Sequence, residues 1–106
     1  MIKTIEILIK NGIITTYNVL IINEKKIMYM NDKKYTLTNN YLDDIINTFY
    51  LWNHEYGYDN KIDSEEFTIK VRTEEGITKY HGKGLFPSNY NVLIELLDGV
   101  KWSHKK

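Results

Sequence analysis

Apolar and polar residues alternate along the first part of the chain, which is the pattern of a half-buried β-strand. Isoleucines at every second position from 5 to 9 share one side of the first strand, and Asn11-Gly12 then supplies a two-residue turn. The return strand over 17–22 is apolar on both sides, so we expect it to be central and covered on both faces. A second, shorter hairpin is predicted over 27–37. The pattern predicts a meander of three or four strands.

The period then changes to that of an amphipathic helix. Asn40, with Asp43 three residues later, has the spacing of a capping box at the start of this helix. The sequence predicts a helix over about 40–53, and its buried stripe consists of Leu42, Ile45, Ile46, Phe49 and Trp52.

Periodicity is lost from Asn53 to Glu66, where turn-forming residues predict a long loop. A last hairpin is predicted from Phe67, with its return strand over 77–81. Pro87 or Ser88 is expected to open a final helix. Gly99 is placed to end that helix, and a short basic tail follows over 101–106.

The order of these elements indicates the α+β class. We expect an antiparallel sheet of about five or six strands, in the order ββββ-α-ββ-α, with both helices packed on one face. A length of 106 residues suits one domain, which we place at 1–100.

The composition and the lengths of the apolar runs exclude several classes of protein. The chain has no cysteine, which excludes disulfides and thiolate metal sites. No apolar run reaches the roughly 18 residues of a membrane span, and the N-terminus does not have the pattern of a signal peptide. We therefore expect a cytoplasmic protein that does not enter a membrane.

Gly82-Lys83-Gly84 matches neither the Walker pattern nor the dinucleotide-binding pattern, so we interpret it as the turn that joins a strand to the last helix. One alternative stays open. An anion could be held by His81, Lys83, Ser88 and Asn89, because backbone N–H groups at a helix start attract anions.

No other motif predicts catalysis. The three histidines lack the spacing of a metal site, and the acidic segment 59–65 departs from the EF-hand pattern. No serine lies in a nucleophile motif. We expect no cofactor and no metal, and a non-catalytic protein is the favoured interpretation, with a cryptic enzyme as an alternative.

Charge is distributed unevenly. Residues 41–66 contain seven acids and one lysine, a net charge of −6, whereas residues 1–40 and 67–106 each carry +3. Aromatic residues are interleaved with these acids, which is typical of a protein interface. The predicted partner-binding residues are Trp52, Glu55, Tyr56, Tyr58, Asp59, Asp63, Glu65 and Glu66.

An acidic surface of this kind favours a partner protein with a basic surface. The predicted function is an inhibitor, or an immunity or anti-CRISPR type of protein, that works as a monomer or homodimer. Nucleic acid is not expected as a direct ligand, because the net charge is zero. Two alternatives remain: a small-ligand domain using residues 80–91, and a module that self-associates through the first strand as an exposed edge.

The C-terminal half carries the pattern Y-x-G-x-G-x-F-P-x-N-Y, formed by Tyr80, Gly82, Gly84, Phe86, Pro87, Asn89 and Tyr90. In this segment the chain resembles small uncharacterised proteins of low-GC Gram-positive bacteria and their phages. The resemblance implies the α+β fold and no particular activity. We interpret Tyr80 as a packing residue and Asn89 as a capping residue.

Overall fold

The structure is a computed structural model that describes residues 1–58 and 64–103. Seven strands and two helices follow one another along the chain. Their bounds are β1 Ile2–Asn11, β2 Ile14–Ile22, β3 Ile27–Met30, β4 Lys33–Thr36, α1 Asn39–Phe49, β5 Glu55–Tyr58, β6 Glu65–Thr73, β7 Gly76–Lys83 and α2 Tyr90–Ser103.

All seven strands form one sheet, in the order β4-β3-β2-β1-β6-β7-β5. Every neighbouring pair is antiparallel except β5 and β7, which are parallel. The α+β class is therefore confirmed, but the predicted five or six strands are too few. The additional strand is β5, which lies inside the segment predicted as a loop. Four residues are too short for a period, and only pairing with β7 reveals this strand.

The first strand is central rather than an edge, because β1 pairs with β2 on one side and β6 on the other. The first strand is therefore not the exposed edge that the self-association alternative assumed. The edges are β4 and β5, and β4 carries Lys33 and Lys34, a residue type that discourages pairing with another chain.

The first turn differs in detail from its prediction. Asn11 still pairs with Ile14, so the two-residue loop is Gly12 and Ile13 rather than Asn11-Gly12. Gly12 has a φ of 67°, which favours glycine, while Ile13 does not have a positive φ. The β3–β4 loop does contain two left-handed residues, Asn31 and Asp32. The type I′ pattern therefore fits this second hairpin and not the first.

Thr38, and not Asn40, caps α1: its hydroxyl accepts a hydrogen bond from the Tyr41 N–H over 3.1 Å. The helix ends at Phe49, four residues before its predicted end. The chain then turns, with the Trp52 N–H bonded to the Phe49 carbonyl, so Trp52 keeps its buried position without belonging to the helix.

The core covers one face of the sheet. Alternate residues of β1 and β6, including Ile5, Ile7 and Ile69, are buried there. Residues of both helices contact side chains of this face: Phe49 packs on Tyr80 at a ring distance of 5.5 Å, and Tyr90 packs on Phe67 at 5.3 Å. The opposite face of the sheet is partly exposed along β2. The expectation that both faces of β2 are covered is therefore wrong.

The last helix starts at Tyr90, later than predicted, and continues through Gly99 to Ser103. Gly99 does not have the positive φ of a left-handed cap, and Val100 beyond it is buried. The predicted helix end at Gly99 is therefore wrong. Within residues 1–58 and 64–103, neither helix is long and apolar enough to cross a membrane.

Candidate functional site

An open cleft lies between the C-terminal end of α1 and the segment that leads into α2. Its volume is about 520 Å³. The lining contains Trp52 and Tyr56 from the predicted partner-binding set, and Ser88 and Asn89 from the alternative anion-binding set. The remaining lining residues are Asn47, Thr48, Leu51, Phe86 and Pro87. Because this cleft joins parts of both predicted sites, it is the candidate functional site.

Aromatic rings hold the cleft in shape. Trp52 meets Phe67 edge-on with ring centroids 5.6 Å apart, and Phe86 packs on Tyr90 at 4.6 Å. Tyr56 also approaches Phe67, at 6.2 Å. Such ring pairs add to the stabilisation from burial alone, so the floor of the cleft is a preformed part of the core.

Asn89 connects the two walls of the cleft. Its Oδ1 accepts a hydrogen bond from the Trp52 indole N–H over 2.6 Å, and its Nδ2 donates to the Thr48 carbonyl over 3.0 Å. Its side chain therefore joins α1 to the start of α2 rather than capping α2. Tyr80 is buried against Phe49, as the packing interpretation expects.

Two exposed apolar residues follow α1, and one of them, Leu51, lines the cleft. Leu51 is 86% exposed and Tyr50, next to it in the chain, is 67% exposed. Sequence reasoning missed both residues, because neither belongs to the buried stripe of α1. Two apolar residues between Phe49 and Trp52 but off that stripe were the signal that could have found them.

The edge strand β5 separates this cleft from a group of charged side chains on the other face of the sheet. Tyr56 lines the cleft, while Glu55 pairs in register with His81 of β7. Gly57 of the same strand has a φ of 101°, and a Cβ placed there would lie 2.7 Å from Leu85 Cδ1. Leu85 therefore occupies the space that a side chain at position 57 would need.

His81 lies between two carboxylates. Its Nδ1 is 2.8 Å from a Glu55 oxygen and its Nε2 is 2.6 Å from a Glu66 oxygen. Burial alone would lower the pKa of His81, but the hydrogen bonds from the ring to Glu66 and Glu55 raise it overall. The hydrogen bond to His81 also lowers the pKa of Glu66. The arrangement favours an imidazolium that donates from both nitrogens and ties β5 and β6 to β7.

Glu65 is engaged as well: its carboxylate accepts a hydrogen bond from the Tyr90 hydroxyl over 2.7 Å. Burial and then this carboxylate raise the pKa of Tyr90. Of the other predicted residues, Tyr58 ends β5, but its side chain, like Asp59 and Asp63, lies outside the described part of the chain. Trp52 is only 7% exposed and offers a partner little surface.

The four residues of the alternative anion site are not brought together. Ser88 and Asn89 line the cleft on the helix side, whereas the alternation of β7 directs His81 and Lys83 to the opposite face. His81 is already held by two carboxylates. Within the described residues, no group of His, Cys, Asp and Glu side chains could hold a metal ion.

Comparisons with known proteins do not add a family. A scan against family models, a search of curated proteins and a search of solved structures each gave no match. The functional argument therefore depends on the geometry of the cleft and its surroundings.

Proposed function

We propose that this chain is a non-catalytic protein-interaction domain that covers a basic surface of a bacterial or phage partner protein. Its action would be that of an inhibitor, of the immunity or anti-defence type, working by steric and electrostatic occlusion. The observation that carries this proposal is the largely exposed Leu51 in the lining of a preformed aromatic cleft, next in the chain to the exposed Tyr50.

Single exposed apolar residues are ordinary on protein surfaces. Here, however, the exposed Leu51 lines a concave site whose aromatic floor is packed on the core. Interfaces draw most of their binding energy from a few large side chains near such pockets. A partner side chain that entered the cleft would contact Tyr56 and Phe86, while Leu51 would be buried against the partner.

Charge supports a basic partner. Asp43 and Asp44 are exposed on α1, and Glu55 is exposed on the neighbouring edge strand. These residues belong to the segment 41–66, whose net charge is −6. Clustered charge of one sign speeds the encounter with a surface of the opposite sign.

The lining of the cleft supports binding over acid–base catalysis. Among the described residues that line it, none has a carboxyl, imidazole, amine or thiol group, and the hydroxyl of the lining Tyr56 already accepts a hydrogen bond from the Asn53 N–H over 2.9 Å. General acid–base catalysis needs such a group within hydrogen-bonding reach of the substrate. The nearby His81 has both nitrogens engaged by carboxylates.

The test is affinity capture from a lysate of the source organism, at low and moderate salt, with tagged variants. Leu51→Asp should lose a near-stoichiometric basic partner that the wild type captures. The reversal of Glu55, Asp59 and Asp63 to lysine should weaken capture and its dependence on salt. Ile13→Asp is the matched control, because Ile13 is 91% exposed in the β1–β2 turn and does not line the cleft. Full capture by both the Leu51 variant and the triple reversal would refute the proposed surface.

A second candidate is a small-ligand site in the same cleft. A volume of about 520 Å³ is within the range of small-molecule sites. A ligand would stabilise the fold by about 2.7 kcal/mol at a hundred times its Kd. A thermal-shift screen should find a compound that stabilises the wild type and not Ser88→Trp, whose indole would fill the cleft.

A further inference from the structure

An apolar strip crosses three strands on the face of the sheet that points away from the core, which we call the open face. Leu8 and Leu20 are each 37% exposed and Tyr29 is 41% exposed. Ile22 and Ile27, which pair with each other across β2 and β3, extend the strip and are half-buried. An antiparallel sheet with one face in water usually presents polar side chains there. This strip departs from that pattern.

Cationic side chains flank the strip on both sides. Lys34 lies next to Tyr29 in the β3–β4 pairing, while Lys70 and Arg72 on β6 and Lys79 on β7 lie on the other side. In the described part of the chain, none of these four makes an ion pair.

Lys70 and Lys79 stand directly opposite each other in the β6–β7 pairing. Like charges in this position destabilise a sheet, so the fold itself gains nothing from the pair. Glu6 is opposite Lys70 on the other side, in the β1–β6 pairing, but no ion pair joins them. A depression of about 500 Å³ lies here, lined by residues that include Leu8, Leu20, Lys70 and Lys79.

The apolar strip is about as wide as an α-helix, and the cations on its two sides are far enough apart to flank one. Neighbouring strands lie about 4.8 Å apart, so the three strands of the strip span about 10 Å, which is close to the diameter of an α-helix. The distance from β4 to β6 is four strand spacings, or about 19 Å by the same rule. Cations at that separation would stand on either side of a helix laid on the strip.

We propose that the open face is a docking surface for an acidic amphipathic helix of a partner protein. The apolar side of the helix covers Leu8, Leu20 and Tyr29, and carboxylates on its two flanks reach Lys34 on one side and Lys70 with Lys79 on the other. This surface is on the opposite side of the sheet from the cleft. The domain can therefore engage an acidic element independently of the basic partner proposed above.

A single-stranded nucleic acid fits the same surface less well. Binding of bases without sequence preference uses several aromatic platforms, and Tyr29 is the one aromatic residue of the strip. Glu6 also places a negative charge beside Lys70, where a phosphate would lie. Glu6 also pairs with Leu20 in the β1–β2 register, so the apolar side of the helix, and not one of its carboxylates, must lie over Glu6.

The probe is a stapled synthetic helix of about 18 residues, with Leu on one face and Glu elsewhere. Amide chemical shifts of the isotope-labelled chain are followed during its addition. A peptide with Lys in place of every Glu and an oligothymidine are added in parallel. The acidic helix should shift amides of β1, β2, β3 and β6, and its Kd should rise about tenfold with Lys70→Glu/Lys79→Glu.

Two further variants control for misfolding and for the change in net charge. Lys79→Glu alone places opposite charges across β6 and β7, so it should fold and still weaken binding. Lys3→Glu/Lys25→Glu changes the net charge equally away from the open face and should leave the Kd unchanged.

Several results would overturn the proposal. One is an acidic helix that causes no shifts, or shifts outside the open face. Another is binding that the reversal at Lys70 and Lys79 leaves intact. Tighter binding of oligothymidine at this face would assign it to nucleic acid instead. A dimer that forms with rising concentration, and that the same reversal abolishes, would assign it to a second copy of the chain.

Discussion

Gly82 is the position where a single added methyl group should damage this fold most clearly. It lies in β7, opposite Phe67 of β6. A Cβ at this position would be 2.6 Å from Phe67 Cε1, 2.6 Å from the Leu85 carbonyl oxygen and 3.1 Å from Tyr56 Cβ. Carbon atoms normally come no closer than about 3.5 Å. The substitution Gly82→Ala therefore requires neighbours on two sides to move.

The cost can be estimated from what would have to move. Phe67 is fully buried, and the Leu85 oxygen belongs to the backbone at the entrance to the cleft. Overpacking of a core typically costs 1–3 kcal/mol, and a rigid backbone neighbour points to the upper half, about 2–3 kcal/mol. At about 4–8 °C per kcal/mol for a domain of this size, Tm should fall by roughly 8–24 °C.

Urea and thermal unfolding, followed by circular dichroism and tryptophan fluorescence, measure this change. Gly99→Ala is the matched control: a Cβ at Gly99 has no neighbour within 4 Å, and the residue is inside α2. There, alanine should stabilise the protein by about 0.5–1 kcal/mol, because glycine is a poor helix former.

The two substitutions together test the packing argument. An unfolding midpoint for Gly82→Ala equal to that of the wild type would refute the close approach of Phe67 and Leu85. A destabilised Gly99→Ala would indicate that the last helix ends at Gly99, as its sequence pattern predicts.

Three further predictions follow from the structure. The raised pKa of His81 implies stability that is complete below its usual pKa of 6.5 and lost as the pH rises through the folded value. The lowered pKa of Glu66 implies stability that is present above 4.5 and lost as the pH falls. The free energy of unfolding should therefore decline by about 1 kcal/mol from pH 6 to pH 9. His81→Gln should remove that decline. An equal decline in the variant would contradict the ion-pair geometry. Asn89→Ala should cost about 1–2 kcal/mol by leaving a tryptophan N–H and a carbonyl without partners, whereas the exposed Asn91→Ala should be neutral in the same urea titration. Ile69→Ala, at a fully buried position of β6, should cost about 2–5 kcal/mol, and a loss below 1 kcal/mol would place Ile69 outside the core.

Most of the elements were determined by local sequence. Alternation of apolar residues located β1, β2, β6 and β7, and the three-and-four spacing located α1 with its buried Leu42, Ile45 and Phe49. These patterns succeed because they arise from the geometry of neighbouring residues. The turn interpretation of Gly82-Lys83-Gly84 holds only in part: Gly82 and Lys83 belong to β7, and the chain leaves the strand at Gly84, which has a φ of 76°.

Element ends and strand order were decided by tertiary structure. Gly99 is a residue type that often ends a helix, but α2 extends beyond it because Val100 is buried in the core. The strand β5 is too short to show a period and exists through its pairing with β7. The central place of β1 follows from its pairing with β6, more than fifty residues later in the chain.

The candidate sites divide in the same way. The acidic and aromatic composition of 41–66 predicts Trp52, Tyr56 and the nearby glutamates as site residues. Which of these residues belong to the core, which are joined to His81, and which line a cleft depended on contacts between distant parts of the chain. Trp52 and Asn89, for example, are 37 positions apart, yet they share a hydrogen bond. Sequence patterns record the geometry of near neighbours, whereas a binding surface is made where folding brings distant residues together.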